Sequence, residues 1–444
     1  MKSNSVSPAR LTAFEILLRV AEGAYASVLL AAREGELAPL DRALCHELVM
    51  GVLRQQLWLD YLIEHYANRK VVTLDESVRI ALRIGLYQLR FLSRVPASAA
   101  VNESVNLVHL ARLRSAATLV NAVLRRATRE PEVDPVSNIQ DPLERLSVAT
   151  SHPAWLLERW IEAFGNDEAE AFARANNEPA PTAFRVVKSH AQEADVLEAL
   201  RAGGAELVPS KIAAGAWRIS GAGSLLSELA AAGKIYIQDE ASQLVALLLD
   251  VTPGLRVLDL CAAPGSKTTQ IADLTSDSGM IVASDLHEHR LRTVSSSAQV
   301  QGLKRIHSVA LDGLQPLPLL ESSFDRVLVD APCSGTGTLR RNPEIRWRIS
   351  PADIQDLAGR QTQLLRNAAR VVRPEGRLIY STCSVERDEN EDVVQTFLEN
   401  NETFRLVDLT VDAKLKTSLG AARTWPHREG SDGFFVCAFE RSGT

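Results

Sequence analysis

Apolar residues in the first part of the chain recur with the period of an α-helix. From Pro8 to about Arg129 they stand at positions i, i+3, i+4 and i+7, as in ARLTAFEILLRVAEG and SAATLVNAVLRRATR, which is the spacing of one buried helix face. The pattern predicts an all-α bundle in residues 1–135. The stretch REPEVDPVSNIQDP (129–142) is proline-rich and aperiodic, which is typical of a linker.

A short mixed segment is predicted after the linker. Helical periodicity resumes at Leu143 and continues to about Asn177. Beyond it, TAFRVV and WRISGAG are typical of short strands, and AQEADVLEALRAGG, which ends in a Gly pair suited to a left-handed cap, is typical of a helix. We assign residues 143–234 to a helical and small α/β adaptor.

From Ile235 onward, apolar strand candidates alternate with helical segments. The strand candidates are RVLDLC (256–261), MIVASDL (280–286), IHSVAL (306–311), FDRVLVDAP (324–332) and RLIYSTC (377–383). This alternation predicts a doubly wound, mainly parallel α/β sheet in residues 235–444. In such sheets ligands bind beyond the carboxyl ends of the strands.

Composition and charge limit the class of protein. Apolar residues make up 46% of the chain and charged residues 23%, as in an ordinary folded protein. The net charge of −6 argues against binding nucleic acid by bulk charge, yet residues 1–129 carry +6 and the remainder −12. We expect the acidic run ERDENEDVV (386–394) to be a solvated helix end.

The lack of a recognisable targeting signal and the spacing of the cysteines predict a cytoplasmic protein. The start MKSNSVSPAR lacks the apolar core of a signal peptide, and no apolar run reaches membrane-spanning length. The five cysteines contain no CxxC pair, which argues against disulfides and zinc. His287 and His289 have H-x-H spacing but no evident third ligand, so no metal is expected.

One loop and two strand ends suggest a nucleoside cofactor. The loop DLCAAPGSKT (259–268) links a strand to a helix but matches neither G-x-G-x-x-G nor the P-loop pattern. Asp285 and Asp312 end the next two strands, where carboxylates can bind a ribose or an adenine amine. Singly, each could equally be a turn residue or a helix cap. S-adenosyl-L-methionine fits this loop better than NAD, because the loop lacks a glycine-rich diphosphate cradle and S-adenosyl-L-methionine contains no phosphate.

Two further strand ends carry thiols. Cys333 lies in DAPCSGTG (330–337) and Cys383 in STCS (381–384). Methylation at C5 of a pyrimidine needs such a group, because a thiolate that adds to C6 makes C5 nucleophilic. A second acid or base must then help to release the product, and Asp330 could hold the base edge. Spacing alone leaves open which cysteine attacks.

These three motifs together resemble those of the RNA (cytosine-C5) methyltransferase family. ARLTAFEILLRV and LDRALCHELVMGVLR resemble the NusB-like RNA-binding domain that some members carry in front. The resemblance implies a Rossmann-like class I methyltransferase fold, S-adenosyl-L-methionine as cofactor with S-adenosyl-L-homocysteine as its product, and a cytosine of 16S rRNA as target. It also implies that Cys383 is the nucleophile and that Cys333 assists product release.

The resemblance further assigns a cofactor pocket. Asp330 stands between cofactor and target base in this assignment, and Lys267 could orient it. Two departures from the family pattern stand out: Ser266 replaces a common Gly, and Val187 replaces a usual Asn. The implied cofactor-binding residues are Cys261, Ala262, Ala263, Pro264, Gly265, Ser266, Lys267, Asp285, Asp312 and Asp330.

Two groups of basic residues are candidates for RNA contact. The segment TLRRNPEIRWR (338–348) interleaves arginines with an aromatic residue, as single-strand RNA sites do, although a solvated charged turn is the alternative. Arginines at the end of the last bundle helix could instead interact with the helix dipole. The predicted RNA-binding residues are Arg340, Arg341, Arg346, Trp347, Arg348, Arg125 and Arg126.

Alternative functions remain open at this stage. A methyltransferase for a tRNA cytosine or another rRNA cytosine would carry the same catalytic motifs. A non-catalytic NusB-like RNA-binding protein belongs to a different class, and Cys333, Cys383 and Lys267 argue against it. We expect a monomer that binds 16S rRNA and neither DNA nor membranes.

Overall fold

The computed structural model describes residues 6–130 and 132–443. The chain divides into two compact units. Unit 1 contains the described residues up to Pro179 together with Leu339–Arg348, and unit 2 contains Ala180–Thr338 and the described residues from Ile349 onward.

Helices form most of unit 1 and flank the sheets of unit 2. The helices are α1 (Pro8–Ala21), α2 (Ala26–Arg33), α3 (Pro39–Arg54), α4 (Gln56–Ala67), α5 (Glu76–Phe91), α6 (Ala97–Leu110), α7 (Ala117–Arg129), α8 (Pro142–Thr150), α9 (Ala154–Phe164), α10 (Asn166–Ala175), α11 (Glu193–Ala202), α12 (Gly223–Ala231), α13 (Glu240–Leu248), α14 (Ser266–Leu274), α15 (Glu288–Val300), α16 (Ile345–Arg348), α17 (Pro351–Val371) and α18 (Glu391–Glu399).

The strands found in the described residues all belong to unit 2. They are β1 (Thr182–Val186), β2 (Glu206–Pro209), β3 (Ala216–Ser220), β4 (Ile235–Ile237), β5 (Arg256–Asp259), β6 (Met280–Asp285), β7 (Ile306–Ala310), β8 (Phe324–Asp330), β9 (Val372–Thr382), β10 (Phe404–Val407), β11 (Ala422–Arg423) and β12 (Phe435–Arg441).

Unit 1 confirms the predicted helical bundle. Apolar faces of α1, α3, α4, α5 and α7 share one core. At α5, Asp75 caps the first turn by accepting a 2.9 Å hydrogen bond from the backbone N–H of Ser77. Two helices approach closely at Gly51, where an added Cβ would come within 2.0 Å of the Tyr87 ring. Any larger residue at position 51 would force the Tyr87 ring to move.

The two units divide the chain differently from the predicted domains. Residues 143–179, predicted as part of the adaptor, lie in unit 1 with the bundle, whereas residues 180–234 lie in unit 2. The segment 339–348, predicted within the catalytic part, also lies in unit 1. Long-range hydrogen bonds, which a periodicity analysis cannot detect, account for this grouping.

Arg346 provides the main bonds between the segment 339–348 and the rest of unit 1. Its side chain is fully buried. It donates hydrogen bonds to the carbonyl of Ser151 at 3.1 Å and to Oδ1 of Asn177 at 2.8 Å. Arg340 is also buried, and its carbonyl accepts a 2.8 Å hydrogen bond from Arg54. We therefore correct the predicted RNA contact of Arg340 and Arg346, because buried guanidinium groups present no surface to RNA.

The other candidates for RNA contact are at least partly exposed. Within unit 1, Trp347 donates from its indole N–H to the carbonyl of Leu53 at 3.3 Å, and Arg348 binds backbone carbonyls between Val20 and Ala24. Their RNA contact remains a prediction. The same holds for Arg341, Arg125 and Arg126.

Unit 2 confirms the predicted doubly wound sheet and adds strands to it. The large sheet has the order β10-β12-β9-β8-β5-β6-β7, with β11 paired to β12. Strands β5 to β9 pair in parallel, and β12 is antiparallel to its neighbours. We did not predict β12, because periodicity alone cannot distinguish a short continuous apolar run such as FFVCAF from a buried helical segment.

A second, four-stranded antiparallel sheet follows the order β2-β3-β1-β4. Strands β1 and β3 and helix α11 lie where the sequence predicts the adaptor's elements.

Buried aromatic side chains at Tyr380, Phe397, Phe435 and Phe439 form part of the core that packs against the large sheet. None of the helices in residues 6–130 and 132–443 combines the length and apolar content that a membrane crossing requires.

Replacing Arg346 with alanine should destabilise unit 1. Arg346→Ala removes buried hydrogen bonds and leaves their acceptors and a cavity behind, so we expect a loss of about 3 kcal/mol in the free energy of unfolding, measured by urea denaturation. Arg19→Ala is the control, because that side chain is 65% exposed. Unchanged stability combined with weaker RNA binding would contradict the structural role.

Candidate active site

The carboxyl ends of four parallel strands bring the predicted chemical groups together. Asp259, Asp285 and Asp330 are the last residues of β5, β6 and β8, and Cys383 directly follows β9. Because these strands run in parallel, their ends lie at one edge of the sheet. This edge of unit 2 is the candidate active site.

Cys333 and Cys383 form a close pair of free thiols. Their sulfur atoms are 3.2 Å apart, and each side chain is partly exposed. The pKa of Cys333 is raised well above the usual value by its hydrogen bond to Cys383, by burial, and by the nearby charges of Cys383 and Glu389. The pair therefore places two thiols at one point of the sheet edge.

A buried ion pair lies at the end of the neighbouring strand. Lys267 Nζ is 2.6 Å from Asp330 Oδ2, and the Ser381 hydroxyl donates to Oδ1 at 2.7 Å. Burial lowers the pKa of Lys267, but the charge and hydrogen bond of Asp330 outweigh that effect and raise it on balance. The ammonium also lies 5.2 Å from the centre of the Phe434 ring. These contacts hold the Asp330 carboxylate in one orientation.

The loop 261–265 requires glycine at its last position. Gly265 has a φ of +105°, and an added Cβ would lie 3.0 Å from the Cα of Val294. Ser266 is the first residue of α14, so its replacement of the family's common Gly falls on ordinary helical backbone. The departure at Ser266 thus leaves the loop intact.

Asp259 is a buried acid that we did not predict as a site residue. Its Oδ2 accepts a 2.7 Å hydrogen bond from Thr268, whereas its buried Oδ1 has no partner among the described residues. Burial, together with the charges of Asp330 and Asp285, raises its pKa to about 7, although Thr268 and Lys267 oppose that rise. Its position at a strand end, as the first residue of the segment DLCAAPGSKT, was the signal that could have identified it.

The remaining predicted cofactor residues differ in their surroundings. Asp285 is buried, accepts a 3.1 Å hydrogen bond from the backbone N–H of His287 and pairs with Arg290 at 3.2 Å. Asp312 is half-buried and accepts from the N–H of Leu314 at 2.9 Å. Asp312 thus has the bond of a turn residue, and its predicted adenine contact remains a prediction.

The donor set fits S-adenosyl-L-methionine. The partnerless buried oxygen of Asp259 can accept a hydrogen bond from an ammonium group. Asp285 lies at the next strand end, where ribose hydroxyls bind in this fold class. The glycine loop supplies close backbone approach without a diphosphate cradle. In the described part of the chain, no three His, Cys, Asp or Glu side chains are grouped as a metal site would need.

The acidic run after Cys383 differs from the prediction of a solvated helix end. Glu386 and Glu389 are buried, at 3% and 0% exposure. Ser334 and Ser384 donate hydrogen bonds to the carboxylate of Glu389, so this residue belongs to the site's surroundings. The local pattern could not have revealed the contact with Ser334, because that residue lies 55 positions earlier in the chain.

Three families match successive parts of the chain. The NusB family matches residues 7–129, and a ferredoxin-like domain described for RsmF/B-like methyltransferases matches residues 152–225. The family described as 16S rRNA methyltransferase RsmB/F matches residues 246–440.

Relatives and solved structures are similar over most of the chain. A protein named probable ribosomal RNA small subunit methyltransferase B from Bacillus subtilis is 35% identical and is covered over 100% of both chains. The ribosomal RNA small subunit methyltransferase B of Pseudomonas putida is 35% identical over 89% of each. The crystal structure of PH0851 superimposes with a TM-score of 0.85 at 30% identity, covering 98% of this chain and 99% of that chain.

The raised pKa of Asp259 predicts a pH-dependent stability. The folded state binds a proton that the unfolded state releases near pH 4, so this contribution is complete below pH 4 and is lost as pH rises through about 7. Relative to Asp259→Asn, the wild-type free energy of unfolding should fall by about 3 kcal/mol between pH 5 and pH 8, as measured by urea denaturation.

The control for this experiment is Asp408→Asn, because that carboxylate is 73% exposed. It should keep the wild-type pH dependence. A constant difference between wild type and Asp259→Asn across the same pH range would show that Asp259 carries no extra proton in the folded state.

Proposed function

The chain belongs to the 16S rRNA methyltransferase RsmB/F family, and from this premise we propose that it methylates C5 of a cytosine in 16S rRNA. The observation that carries the proposal is the 3.2 Å separation of Cys333 and Cys383 at the sheet edge. An unactivated cytosine C5 is too weak a nucleophile to take a methyl group, and a thiol that adds to C6 removes this obstacle.

Cys383 is the proposed nucleophile, following the family resemblance. Its thiolate forms a bond to C6, and the ring electrons move so that C5 becomes nucleophilic. C5 then takes the methyl group. The Cys333 sulfur takes the C5 proton, the electrons of that C–H bond form the C5–C6 double bond, the C6–S bond breaks, and the thiolate of Cys383 is restored. Cys333 assists this last stage from 3.2 Å away.

Asp330 and Lys267 orient the reacting groups in this proposal. The Lys267 ammonium and the Ser381 hydroxyl hold both oxygens of the Asp330 carboxylate. A carboxylate fixed beside the thiols can bind the amine and N3 edge of a cytosine and favour its protonation during attack. Such prearranged charge costs no reorganisation at the moment of reaction.

S-adenosyl-L-methionine, when bound, supplies the methyl group from its sulfonium. Asp285 would bind its ribose, and Asp259 its ammonium group, beside the backbone of the loop 261–265. The predicted contacts of Cys261, Ala262, Ala263 and Pro264 belong to this proposal. Burial and the charges of Asp259, Asp330 and Asp285 raise the pKa of Cys261 far above the usual value, so it contributes as an apolar thiol and not as a nucleophile.

Unit 1 supports rRNA as the substrate. Its bundle matches the NusB family across residues 7–129, and the relatives that share the whole chain are named as small-subunit rRNA methyltransferases. Arg125 and Arg126 at the end of α7 remain the proposed RNA contacts in this bundle, since Arg125 is exposed and Arg126 partly so.

The two cysteine variants should fail at different stages. With labelled S-adenosyl-L-methionine and unmodified 16S rRNA, Cys383→Ala should lower the rate of methyl transfer more than about 1000-fold and form no covalent adduct. Cys333→Ala should instead accumulate a protein–RNA adduct that survives denaturing electrophoresis, because attack proceeds and release does not.

Cys45→Ala is the matched control, because this buried cysteine belongs to the core of unit 1; it should methylate like the wild type. An adduct with Cys383→Ala but none with Cys333→Ala would reverse the assigned roles. Label transferred to tRNA and not to 16S rRNA would contradict the proposed substrate. No transfer by the wild type to either RNA would contradict the proposed methyltransferase activity.

A further inference from the structure

Glu389 is a fully buried carboxylate that two loops share. Its Oε1 accepts hydrogen bonds from the backbone N–H of Ser334 at 2.8 Å and from Gln361 Nε2 at 2.9 Å. Its Oε2 accepts from the hydroxyls of Ser334 and Ser384, the latter at 2.5 Å. Four donors therefore converge on one side chain.

The two serines directly follow the two reactive cysteines. Ser334 comes after Cys333 and Ser384 after Cys383, and the two serine hydroxyls are themselves 3.0 Å apart. The carboxylate of Glu389 thus connects the loop of one thiol to the loop of the other.

The side chain of Glu389 has an acceptor position for each of the four donors. A carboxylate has two oxygens with about four lone-pair positions, whereas an amide has only one acceptor oxygen. Among the described residues, no lysine or arginine pairs with Glu389. Burying a carboxyl group without partners is costly, so these four hydrogen bonds are what allows Glu389 to lie in the interior.

The two cysteines depend on Glu389 to different degrees. Cys383 directly follows β9, and Asn390 holds the residues on either side of it. The Thr382 hydroxyl donates to Asn390 Oδ1 at 2.6 Å, and Asn390 Nδ2 donates to the carbonyl of Ser384 at 2.9 Å. Cys333 lies in a segment outside the strands. Backbone bonds from Ala331 to Ser381 and from Gly337 to Cys383, both 2.9 Å, hold the two ends of that segment. Between these ends it is held by the bond from Ser334 N–H to Glu389 and by the 2.9 Å bond from Gln361 to the carbonyl of Pro332. We therefore expect loss of Glu389 to displace Cys333 more than Cys383.

We propose that Glu389 is a positioning residue that holds Cys333 against Cys383 and thereby sets the rate of product release. The proposal rests on the proposed function, in which Cys383 attacks and Cys333 assists cleavage of the C6–S bond. The charge of Glu389 also contributes to the raised pKa of Cys333, after the hydrogen bond from Cys383 and burial. Glu389 touches neither base nor cofactor in this role.

Glu389→Gln tests the proposal by separating methyl transfer from release. In a rapid-mixing assay with labelled S-adenosyl-L-methionine and 16S rRNA, the first turnover should proceed near the wild-type rate, with about one methyl group transferred per enzyme. Steady-state turnover should then fall at least about tenfold, and a covalent protein–RNA adduct should accumulate. Both follow because Cys333 moves while Cys383 stays in place.

Glu399→Gln is the matched control, since it makes the same chemical change at an exposed position in α18; it should behave as the wild type. Wild-type turnover by Glu389→Gln would overturn the proposal. An equal loss in first turnover and steady state would also overturn it, because Glu389 would then act before release.

A second variant keeps the test decisive if Glu389→Gln does not fold. Ser334→Ala removes one donor to Glu389 and keeps the buried carboxylate, and it should show the same separation of the two rates to a smaller degree. Equal effects on both rates would again overturn the proposal. If the wild type transfers no methyl group to 16S rRNA, the proposed function itself is contradicted, an outcome distinct from either result above.

Discussion

The parallel pairing of β8 with β9 is the constraint on which the candidate active site depends. It sets Asp330 opposite Ser381, so that the chain leaves both strands at one edge and places Cys333 and Cys383 in neighbouring loops. Because side chains alternate along a strand, a register shift of one residue would turn Asp330 away from Ser381. The thiol pair and the ion pair with Lys267 therefore follow from a single backbone arrangement.

Buried charge is concentrated at this edge. Lys267 and Asp330 neutralise each other, Glu389 is held by neutral donors, and Asp259 retains one oxygen without a partner. Each such group costs stability unless partners or a ligand compensate for it. A concentration of this kind is typical of sites that are prearranged for charged ligands and developing charge.

In unit 1, a buried charged side chain stabilises the packing of the chain instead of contributing to a reaction. Arg346 is buried and bonded to Ser151 and Asn177, which lie more than 160 residues earlier in the chain. A run of arginines beside an aromatic residue resembles an RNA contact in local composition. In this protein, burial makes two of those arginines structural, and only the remaining ones keep exposed surface.

The sequence by itself determined the helical bundle and the order of strands and helices along the catalytic part of the chain. It also placed Cys333, Cys383, Asp285 and Asp330 at or just after strand ends. Both results were accessible because periodicity and motifs are local. Only the tertiary structure decided which thiols approach each other, that Glu389 and Arg346 are buried, and that residues 339–348 pack in unit 1. These features depend on partners that are distant in sequence, and burial changes the role of a charged side chain without changing the local pattern around it.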